Sequence, residues 1–356
     1  MLKKTIFILM IIYMGTIIVA GCTTTGSTNL TSHGPTGSNR THPFNTTHWT
    51  EMTTHAGWSP RFFQSSAAMR DGSIVLMGGS SDTVPSYNDV WRSTDNGATW
   101  TEMTADAGWS GRNGLSIVAT PDNSIVLMGG NDFNGDKSDV WRSAENGSTW
   151  TEMTAHAGWP PRSYQSSVAM PDGSIVLMGG VGNTNNVITT YNDVWRSTDN
   201  GATWTEMTAH AGWPPRSYQS SVAMSDGSIV LMGGVGDANN NISHYNDVWR
   251  STDNGATWTE MTAHAGWPPR SYQSSVAMQD GSIVLVGGED TGGRHPDNVL
   301  RSTDNGATWA EIIAHAGWSG REGQSIVAMP DNSIVLMGGY SNGYLNDVWR
   351  SVPSSS

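Results

Sequence analysis

Arginine is the side chain whose spacing in this sequence points most directly to chemistry. One arginine recurs about every fifty residues, in segments such as Trp-Pro-Pro-Arg-Ser-Tyr-Gln at 213–219. A guanidinium group binds carboxylates and phosphates through paired N–H donors, so the series predicts a site for an acidic ligand. The alternative is that each guanidinium bonds loop carbonyls or stacks on the preceding tryptophan. The candidate ligand-binding residues are Arg61, Arg112, Arg162, Arg216, Arg270, Arg321 and Glu322.

Histidine and tryptophan recur in the loop before each arginine. Histidines of different units would have to meet within about 2 Å of one ion to bind a metal, so we expect hydrogen-bonded loop histidines and no metal site. The tryptophans could stack on sugar rings, but large aromatic side chains usually serve burial, and we favour a wedge between units. The histidines are His55, His156, His210, His264 and His315, with Asp106 in the second unit. The tryptophans are Trp58, Trp109, Trp159, Trp213, Trp267 and Trp318.

No set of residues identifies a catalytic centre, and no cofactor is expected. The positions that break the repeat are therefore the candidates for a specialised site. An enzyme is favoured if Glu322 and the arginines converge on one pocket, and a binding module if they point apart or pair internally. The positions that break the repeat are Asp136, Lys137, Glu289, Asp290, Arg294, His295 and Glu322.

The composition excludes several classes of protein. The formal net charge is −13, and Lys137 is the only lysine beyond the first four residues. Nucleic acid is excluded as a partner because phosphate neutralisation needs basic patches. The 42 glycines and 17 tryptophans in a chain with few charges suggest many short strands joined by tight turns. Cys22 is the single cysteine, so an intrachain disulfide is impossible.

The first 47 residues have a composition unlike the rest. Residues 1–21 combine Lys3 and Lys4 with an apolar run and small residues, as in an export signal peptide. The segment 19–22, Val-Ala-Gly-Cys, resembles the lipobox of prokaryotic lipoproteins, which implies lipidation of Cys22; the alternatives are an ordinary signal peptide or an uncleaved anchor. Residues 22–47 are rich in Thr, Ser and Gly and are expected to form a flexible tether. We therefore expect an exported protein, lipid-anchored at the cell envelope or cell surface.

The remainder, residues 48–353, repeats one unit six times. A Gly-Gly pair marks each unit, as at Gly179-Gly180, and each unit contains four short strand patterns, which we letter A to D. The apolar run of strand B indicates burial on both faces. An Asn-Gly pair before strand D is a strong hairpin signal. A period of about fifty residues is the one expected of kelch-type propeller blades.

Two family resemblances agree on this register. Arg162-Ser163-Tyr164-Gln165, the Gly-Gly pair and the aromatic residue of strand C resemble the kelch repeat, which implies that the arginines lie near the mouth of a central channel. The segment 197–204, Ser-Thr-Asp-Asn-Gly-Ala-Thr-Trp, resembles the Asp-box of sialidase-like propellers. That resemblance implies a peripheral structural turn between strands C and D, and the second copy, with Glu145, should be weaker. The Asp-box acids are Asp95, Glu145, Asp199, Asp253 and Asp304.

A second arginine series lies in strand C. It is expected to pair with the Asp-box acids or with glutamates such as Glu102, and it carries little functional expectation. Its members are Arg92, Arg142, Arg196, Arg250, Arg301 and Arg350.

The two ends of the repeat complement each other. The last unit ends after strand C at 347–350, whereas an unmatched strand D pattern stands at Trp49–Thr53. We therefore predict an all-β fold, a six-bladed β-propeller of four-stranded antiparallel blades, closed when Trp49–Thr53 joins the last blade.

The variable loops indicate the face that binds a ligand. The D-to-A and B-to-C connections share one face of such a propeller, and differences between units concentrate in the B-to-C loops. We expect a monomeric module that binds a protein or a glycan, possibly an acidic sugar, through this face. The alternative is a sialidase- or mutarotase-like enzyme acting on acidic sugars. No sialidase Tyr/Glu nucleophile pair can be matched, and Cys22 lies outside the expected propeller, which removes the cysteine–tyrosine crosslink that galactose-oxidase chemistry requires.

Overall fold

The computed structural model describes residues 48–238 and 241–352. The predicted leader, Cys22 and the tether lie outside the described residues. Regular secondary structure in the described ranges consists of β-strands. No helix in these ranges is long and apolar enough to cross a membrane.

Six four-stranded antiparallel sheets form the six blades of a β-propeller, which confirms the predicted fold. Neighbouring A strands contact one another around the ring, so strand A lines the central channel. Strands A to D are Phe62–Ala68, Ile74–Ser80, Val90–Ser93 and Thr101–Thr104 in blade 1. They are Ser116–Ala119, Ile125–Met128, Val140–Ser143 and Thr151–Thr154 in blade 2. They are Ser166–Ala169, Ile175–Met178, Val194–Ser197 and Thr205–Thr208 in blade 3.

The other three blades follow the same order. The strands are Ser220–Ala223, Ile229–Met232, Val248–Ser251 and Thr259–Thr262 in blade 4. They are Ser274–Ala277, Ile283–Val286, Val299–Ser302 and Ala310–Ile313 in blade 5. In blade 6 they are Ser325–Ala328, Ile334–Tyr340, Tyr344–Val352 and, from the start of the chain, His48–Thr53.

The N-terminal strand closes the ring as predicted. His48–Thr53 pairs antiparallel with Tyr344–Val352, with Trp49 opposite Ser351, and it begins one residue earlier than expected. Because the first strand completes the last blade, residues far apart in sequence hold the ring shut.

Strand B is the core of every blade. Ile229, Val230, Leu231 and Met232 are fully buried, and the equivalent strands behave alike. Six hydrophobic clusters result, each lying between two adjacent blades, including blades 6 and 1. The side chains of the unbroken apolar run therefore pack against both adjacent blades, which confirms the predicted burial of strand B on both faces.

Glycine is required where strand B ends. Gly179 has a φ of 64°, and a Cβ built there would lie 2.9 Å from the carbonyl oxygen of Arg216 in the next blade. A side chain would force the blades apart, so the Gly-Gly pair lets the backbones of adjacent blades touch.

Short hairpins extend the B-to-C connections of three consecutive blades. They pair Asn131–Asp132 with Gly135–Asp136, Val181–Thr184 with Val187–Thr190, and Val235–Ala238 with Asn241–His244. In blade 5, Glu289–Asp290 pairs with Arg270–Ser271, a contact that single bridges such as Ser217 to Val235 also make in other blades. The loop face, formed by the D-to-A and B-to-C connections, therefore varies around the ring, although the hairpins of blades 3 and 4 have the same length.

Candidate functional site

The predicted ligand-binding arginines are buried and paired. Arg216 is 0% exposed, and its Nη1 and Nη2 donate to Asp247 Oδ1 and Oδ2 at 2.6 and 2.7 Å. Nη1 also donates to the carbonyl of Gly233, and Nε to that of Pro214. The same arrangement joins Arg61 to Asp89, Arg112 to Asp139, Arg162 to Asp193, and Arg321 to Asp347. These guanidinium groups therefore hold strand C to the D-to-A connection, and a ligand carboxylate finds their paired N–H donors occupied.

Arg270 lacks the carboxylate partner that the other five have. Asn298 replaces the aspartate, and Arg270 Nη1 reaches its Oδ1 at 3.4 Å and the carbonyl of Gly287 at 3.2 Å. Burial lowers the pKa of Arg270 to about 10, although Asp290 and Glu311 act in the opposite direction. Leu300 also replaces the strand C tryptophan, whose Nε1 donates to the aspartate elsewhere, as in Trp249 to Asp247 at 2.8 Å. Blade 5 thus lacks both the aspartate that accepts these hydrogen bonds and the tryptophan that donates one of them.

The loop tryptophans pack between blades. Trp213 is 1% exposed and meets Trp258 edge to face, with ring centroids 5.9 Å apart. Five further pairs repeat this contact, so the rings are unavailable for stacking on a sugar. The geometry is that of a wedge.

The loop histidines remain on the surface beside polar side chains. His264 Nδ1 lies 3.3 Å from Asn246 Oδ1, and His315 Nδ1 lies 3.1 Å from Asp297 Oδ2. Among the described residues, no group of three His, Cys, Asp or Glu side chains is arranged to hold a metal ion.

The strand C arginines pair with acids that the sequence reading did not choose. Arg250 Nη2 donates to Asp226 Oδ2 at 2.6 Å, and Asp226 lies in the A-to-B turn. Every blade repeats this pair, so the expected pairing with C-to-D turn acids or with Glu102 is wrong. The reason is register: strand C lies beside strand B, whose first residue follows the A-to-B turn.

The C-to-D turns are held by their own acids. Asp199 Oδ1 accepts the Thr203 N–H at 2.9 Å, and Oδ2 accepts the Thr203 hydroxyl at 2.6 Å. The hydroxyl of Ser197 donates to the same carboxylate. At the second turn, the Glu145 carboxylate accepts the Thr149 hydroxyl but not the Thr149 N–H. Apart from Glu145, the C-to-D turns of blades 1 to 5 are alike, and their acids are engaged in the turns.

A closed hydrogen-bonded ring forms the channel mouth on the loop face. Six residues, one per blade, each donate a backbone N–H to the carbonyl of the equivalent residue in the preceding blade. All six have φ between 55° and 60°. Four are aromatic and their rings contact one another across the mouth. We call this set the hub: Phe63, Gly114, Tyr164, Tyr218, Tyr272 and Gly323.

Glu322, beside the hub, is the most unusual side chain of the loop face. It is 0% exposed, and neither of its carboxylate oxygens has a hydrogen-bond partner among the described residues. His295 Nε2 lies 3.9 Å from Oε1. Burial, followed by repulsion from Glu289, raises the pKa of Glu322 to about 8. Glu322 therefore does not converge with the arginines; it clusters with the irregular loop of blade 5.

The remaining irregular residues fall into two groups. Glu289, Asp290, Arg294 and His295 belong to the blade 5 loop that carries the Glu322 cluster, and Arg294 contacts Asp290 at 3.5 Å.

Asp136 and Lys137 lie on blade 2. Lys137 pairs with Asp132 at 2.8 Å. Asp136 Oδ1 accepts the Ser163 hydroxyl and Oδ2 accepts the Asn183 N–H, so this carboxylate ties the hairpins of blades 2 and 3 together.

Exposed apolar side chains at the hairpin tips were missed by the sequence reading. Phe133 is 92% exposed, Val187 63%, Ile188 67% and Ile242 73%; among the described residues, the next large apolar side chain is Val352 at 44%. The sequence signal was Asn185-Asn186 directly before Val187 and Ile188, since both asparagines adopt positive φ in the turn. We call Phe133, Val187, Ile188 and Ile242 the apolar tips.

Comparison with known proteins places the fold within a family. A family model described as the KLHDC2/KLHL20/DRC7 kelch-repeats domain matches residues 174–356, just over half of the chain. A model of the DUF6242 beta propeller domain matches residues 13–153.

Two characterised proteins show weaker similarity. A xyloglucanase from Paenibacillus sp is 28% identical over 204 residues, which cover 45% of this chain and 18% of that protein. The dynein alpha chain of the flagellar outer arm of Chlamydomonas reinhardtii is 29% identical over 113 residues, covering 31% of this chain and 2% of that protein. The chain thus spans less than a fifth of the length of either relative. With six blades whose Gly-Gly pairs, strand register and hub repeat throughout, the chain belongs to the kelch-repeat propeller family.

Proposed function

We propose that this protein is a surface-anchored binding module whose loop face docks another protein. The observation that carries the proposal is the set of apolar tips. Among the described residues, the four most exposed large apolar side chains lie on the B-to-C hairpins of three consecutive blades. Single exposed apolar residues are ordinary, but a set confined to one face marks an interaction surface.

The hairpins are built to hold these tips in place. Asn183 pairs with Ile188 and Thr184 with Val187, on either side of the two-residue turn. Asp136 links this hairpin to that of blade 2. A preorganised surface loses little conformational freedom on binding, which favours affinity.

The charge of the protein restricts its partner. The formal net charge is −13, and the loop face carries Glu289 and Asp290 beside the hub. We infer that the partner presents apolar side chains among basic ones, since opposite charge speeds encounter and excludes acidic competitors.

The export leader and the lipobox-like segment ending at Cys22 support a location at the outer side of a membrane. An acylated Cys22 would hold the propeller there, with residues 23–47 as the tether. The Asp-box-like turns serve as structural caps on the opposite face. No residue is assigned a catalytic role.

A peptide-display selection on the full-length chain tests the proposed docking surface. Selected peptides should be rich in aromatic, aliphatic and Lys/Arg residues. A variant with Phe133→Ser, Ile188→Thr and Ile242→Thr should bind the selected peptides at least tenfold more weakly, which corresponds to about 1.4 kcal/mol of binding free energy. A control variant with Arg70→Ala and Gln279→Ala, on the A-to-B turn face, should retain them.

A glycan array run on the same three proteins separates the alternative ligand class. Binding of an oligosaccharide by both variants, together with no peptide enrichment, would replace protein docking by glycan recognition, which the xyloglucanase similarity makes the natural competitor. Peptides bound equally by the tip variant would also overturn the docking surface.

A further inference from the structure

Two places on the hub share the same backbone arrangement but differ in the polar side chain and in the aromatic ring that covers the glycine. Asn113 and Gly114 of blade 2 correspond to Glu322 and Gly323 of blade 6, because each pair stands directly after its blade's arginine. Gly114 lies under the ring of Tyr164, whose carbons would come within 2.6 Å of a Cβ placed there. Gly323 lies under the ring of Phe63 in the same way, at 3.0 Å.

A hydroxyl group on the covering ring decides whether the polar side chain beside the glycine is satisfied. At blade 2, Tyr164 donates its hydroxyl to Asn113 Oδ1 at 2.6 Å. At blade 6 the aromatic residue is Phe63, which has no hydroxyl, and both oxygens of Glu322 stay without a donor among the described residues. A buried carboxylate without hydrogen bonds costs several kcal/mol relative to its protonated form, so a cationic donor bound here would stabilise the charged form.

The groups around Glu322 specify the charge of that donor. Glu289 raises the energy of a second negative charge at Glu322. Burial, and after it the charge of Glu322, raises the pKa of Tyr272; burial is also the main cause of the raised pKa of Tyr218, to which Glu322 adds a smaller contribution. Arg294 is 84% exposed and engaged with Asp290. His295, at 3.9 Å from Glu322, has its pKa lowered by burial, against the effect of Asp290, so it is a poor permanent counter-ion.

We propose that Glu322 anchors a site for an alkylammonium group beside Phe63. An ammonium offers three N–H donors in different directions. Glu322 and Glu289 provide carboxylate acceptors, while Phe63 and Tyr272 provide aromatic surface for the alkyl chain and the cation. A guanidinium, being planar, would need its acceptors in one plane. The ammonium source is either a lysine side chain of a docked protein, in which case the inference rests on the proposed function, or a free amine.

Titration of the full-length chain with n-butylammonium, followed by calorimetry between pH 6 and pH 8, tests the site. The ligand stays charged throughout, while Glu322 must lose its proton to bind it. With a pKa of about 8 for Glu322, affinity should rise roughly 50-fold from pH 6 to pH 8. 1-Butanol, the neutral probe, should show no such rise.

Three variants make the result specific. Glu322→Gln should abolish the binding, and Phe63→Tyr should weaken it at least tenfold because its hydroxyl occupies the carboxylate. Tyr164→Phe, the matched change at blade 2, should leave binding unchanged. Wild-type affinity that does not vary with pH, or equal binding by Glu322→Gln, would overturn the site; if Glu322→Gln fails to fold, undiminished binding by Phe63→Tyr overturns it.

The apolar tip variant separates this inference from the docking proposal. It should bind n-butylammonium like the wild type even if peptide binding is lost. In the selected peptides, lysine is then exchanged for norleucine, which removes the ammonium group. If this exchange weakens binding to the wild-type protein but not to Glu322→Gln, the ammonium group comes from a docked protein. If the exchange leaves the binding of every selected peptide unchanged while n-butylammonium still binds, the natural ligand is a free amine. Both results uphold the site.

Discussion

Trp49 meets Trp318 edge to face, with ring centroids 6.1 Å apart and planes at 81°. In the other five blades the corresponding pair joins two residues about forty apart in sequence, whereas here it joins the first described strand to the last blade. Trp49 is 5% exposed and packs in the cluster between blades 5 and 6. The contact therefore locks the ring as well as filling the core.

Replacing Trp49 by alanine should destabilise the whole propeller. The loss of a buried indole costs about 3–5 kcal/mol, and the closing strand loses its anchor at the same time. Urea unfolding would measure the change in midpoint. Glu51→Ala, on the exposed side of the same strand, is the control and should change stability by less than about 0.5 kcal/mol. A Trp49→Ala protein as stable as that control would show that closure does not depend on this contact.

Blade 5 offers a stabilising pair of substitutions. Asn298 Nδ2 donates to Glu311 Oε2 at 2.8 Å, so Asn298→Asp is combined with Glu311→Gln to avoid placing two carboxylates together. The new aspartate would then give Arg270 the two-oxygen partner that Asp247 gives Arg216 at 2.6 and 2.7 Å. We expect a gain of about 1.5–3 kcal/mol, the range for hydrogen bonds to charged groups. The reciprocal change, Asp247→Asn, leaves Arg216 buried without a counter-charge and should cost about 3–5 kcal/mol. Thermal unfolding of both proteins checks the prediction, and a destabilised Asn298→Asp/Glu311→Gln protein would contradict it.

The second C-to-D turn can be repaired in the same manner. In Glu145→Asp, the new aspartate should bind the N–H and hydroxyl of Thr149, as Asp199 binds those of Thr203. We expect about 1 kcal/mol of added stability, the usual net value of one hydrogen bond. Asp199→Glu should lose a similar amount. Amide hydrogen exchange at Thr149 and Thr203 would follow each turn separately; unchanged protection at Thr149 in Glu145→Asp would refute the cap.

The fold could be predicted because each local pattern repeats six times and all copies agree. The Ile-Val-Leu-Met runs, the Gly-Gly pairs and the unmatched strand at Trp49–Thr53 were sufficient for blade number, strand order and ring closure.

The site was harder to predict because it depends on contacts across blades. Sequence reasoning recognised Arg216 as special but could not see that Asp247, thirty-one residues later, takes its donors. It marked Glu322 as irregular. It could not show that the ring beside Glu322 belongs to Phe63, at the other end of the propeller sequence, which has no hydroxyl group to donate. The apolar tips went unnoticed because exposure is decided by tertiary packing.

Glu322 should make stability depend on pH in a direction opposite to that of the hydrogen-bonded aspartates such as Asp71 and Asp199, whose pKa values are lowered. The folded-state pKa is raised to about 8 from a model value of 4.5, through burial and then repulsion from Glu289. Between these values the folded protein binds more protons than the unfolded chain, so the free energy of unfolding falls as pH rises, by at most about 1.4 kcal/mol per pH unit.

Glu322→Gln removes that proton linkage while keeping the shape of the side chain. The variant should match the wild type in stability below pH 4.5 and exceed it increasingly up to about pH 8, where the gain levels off. Urea unfolding of both proteins at half-unit pH steps gives the difference directly, and groups such as His295 are present in both. Glu102→Gln on an exposed strand is the control for loss of one charge. A stability difference that stays constant across this range would mean that Glu322 already has a partner in the folded protein.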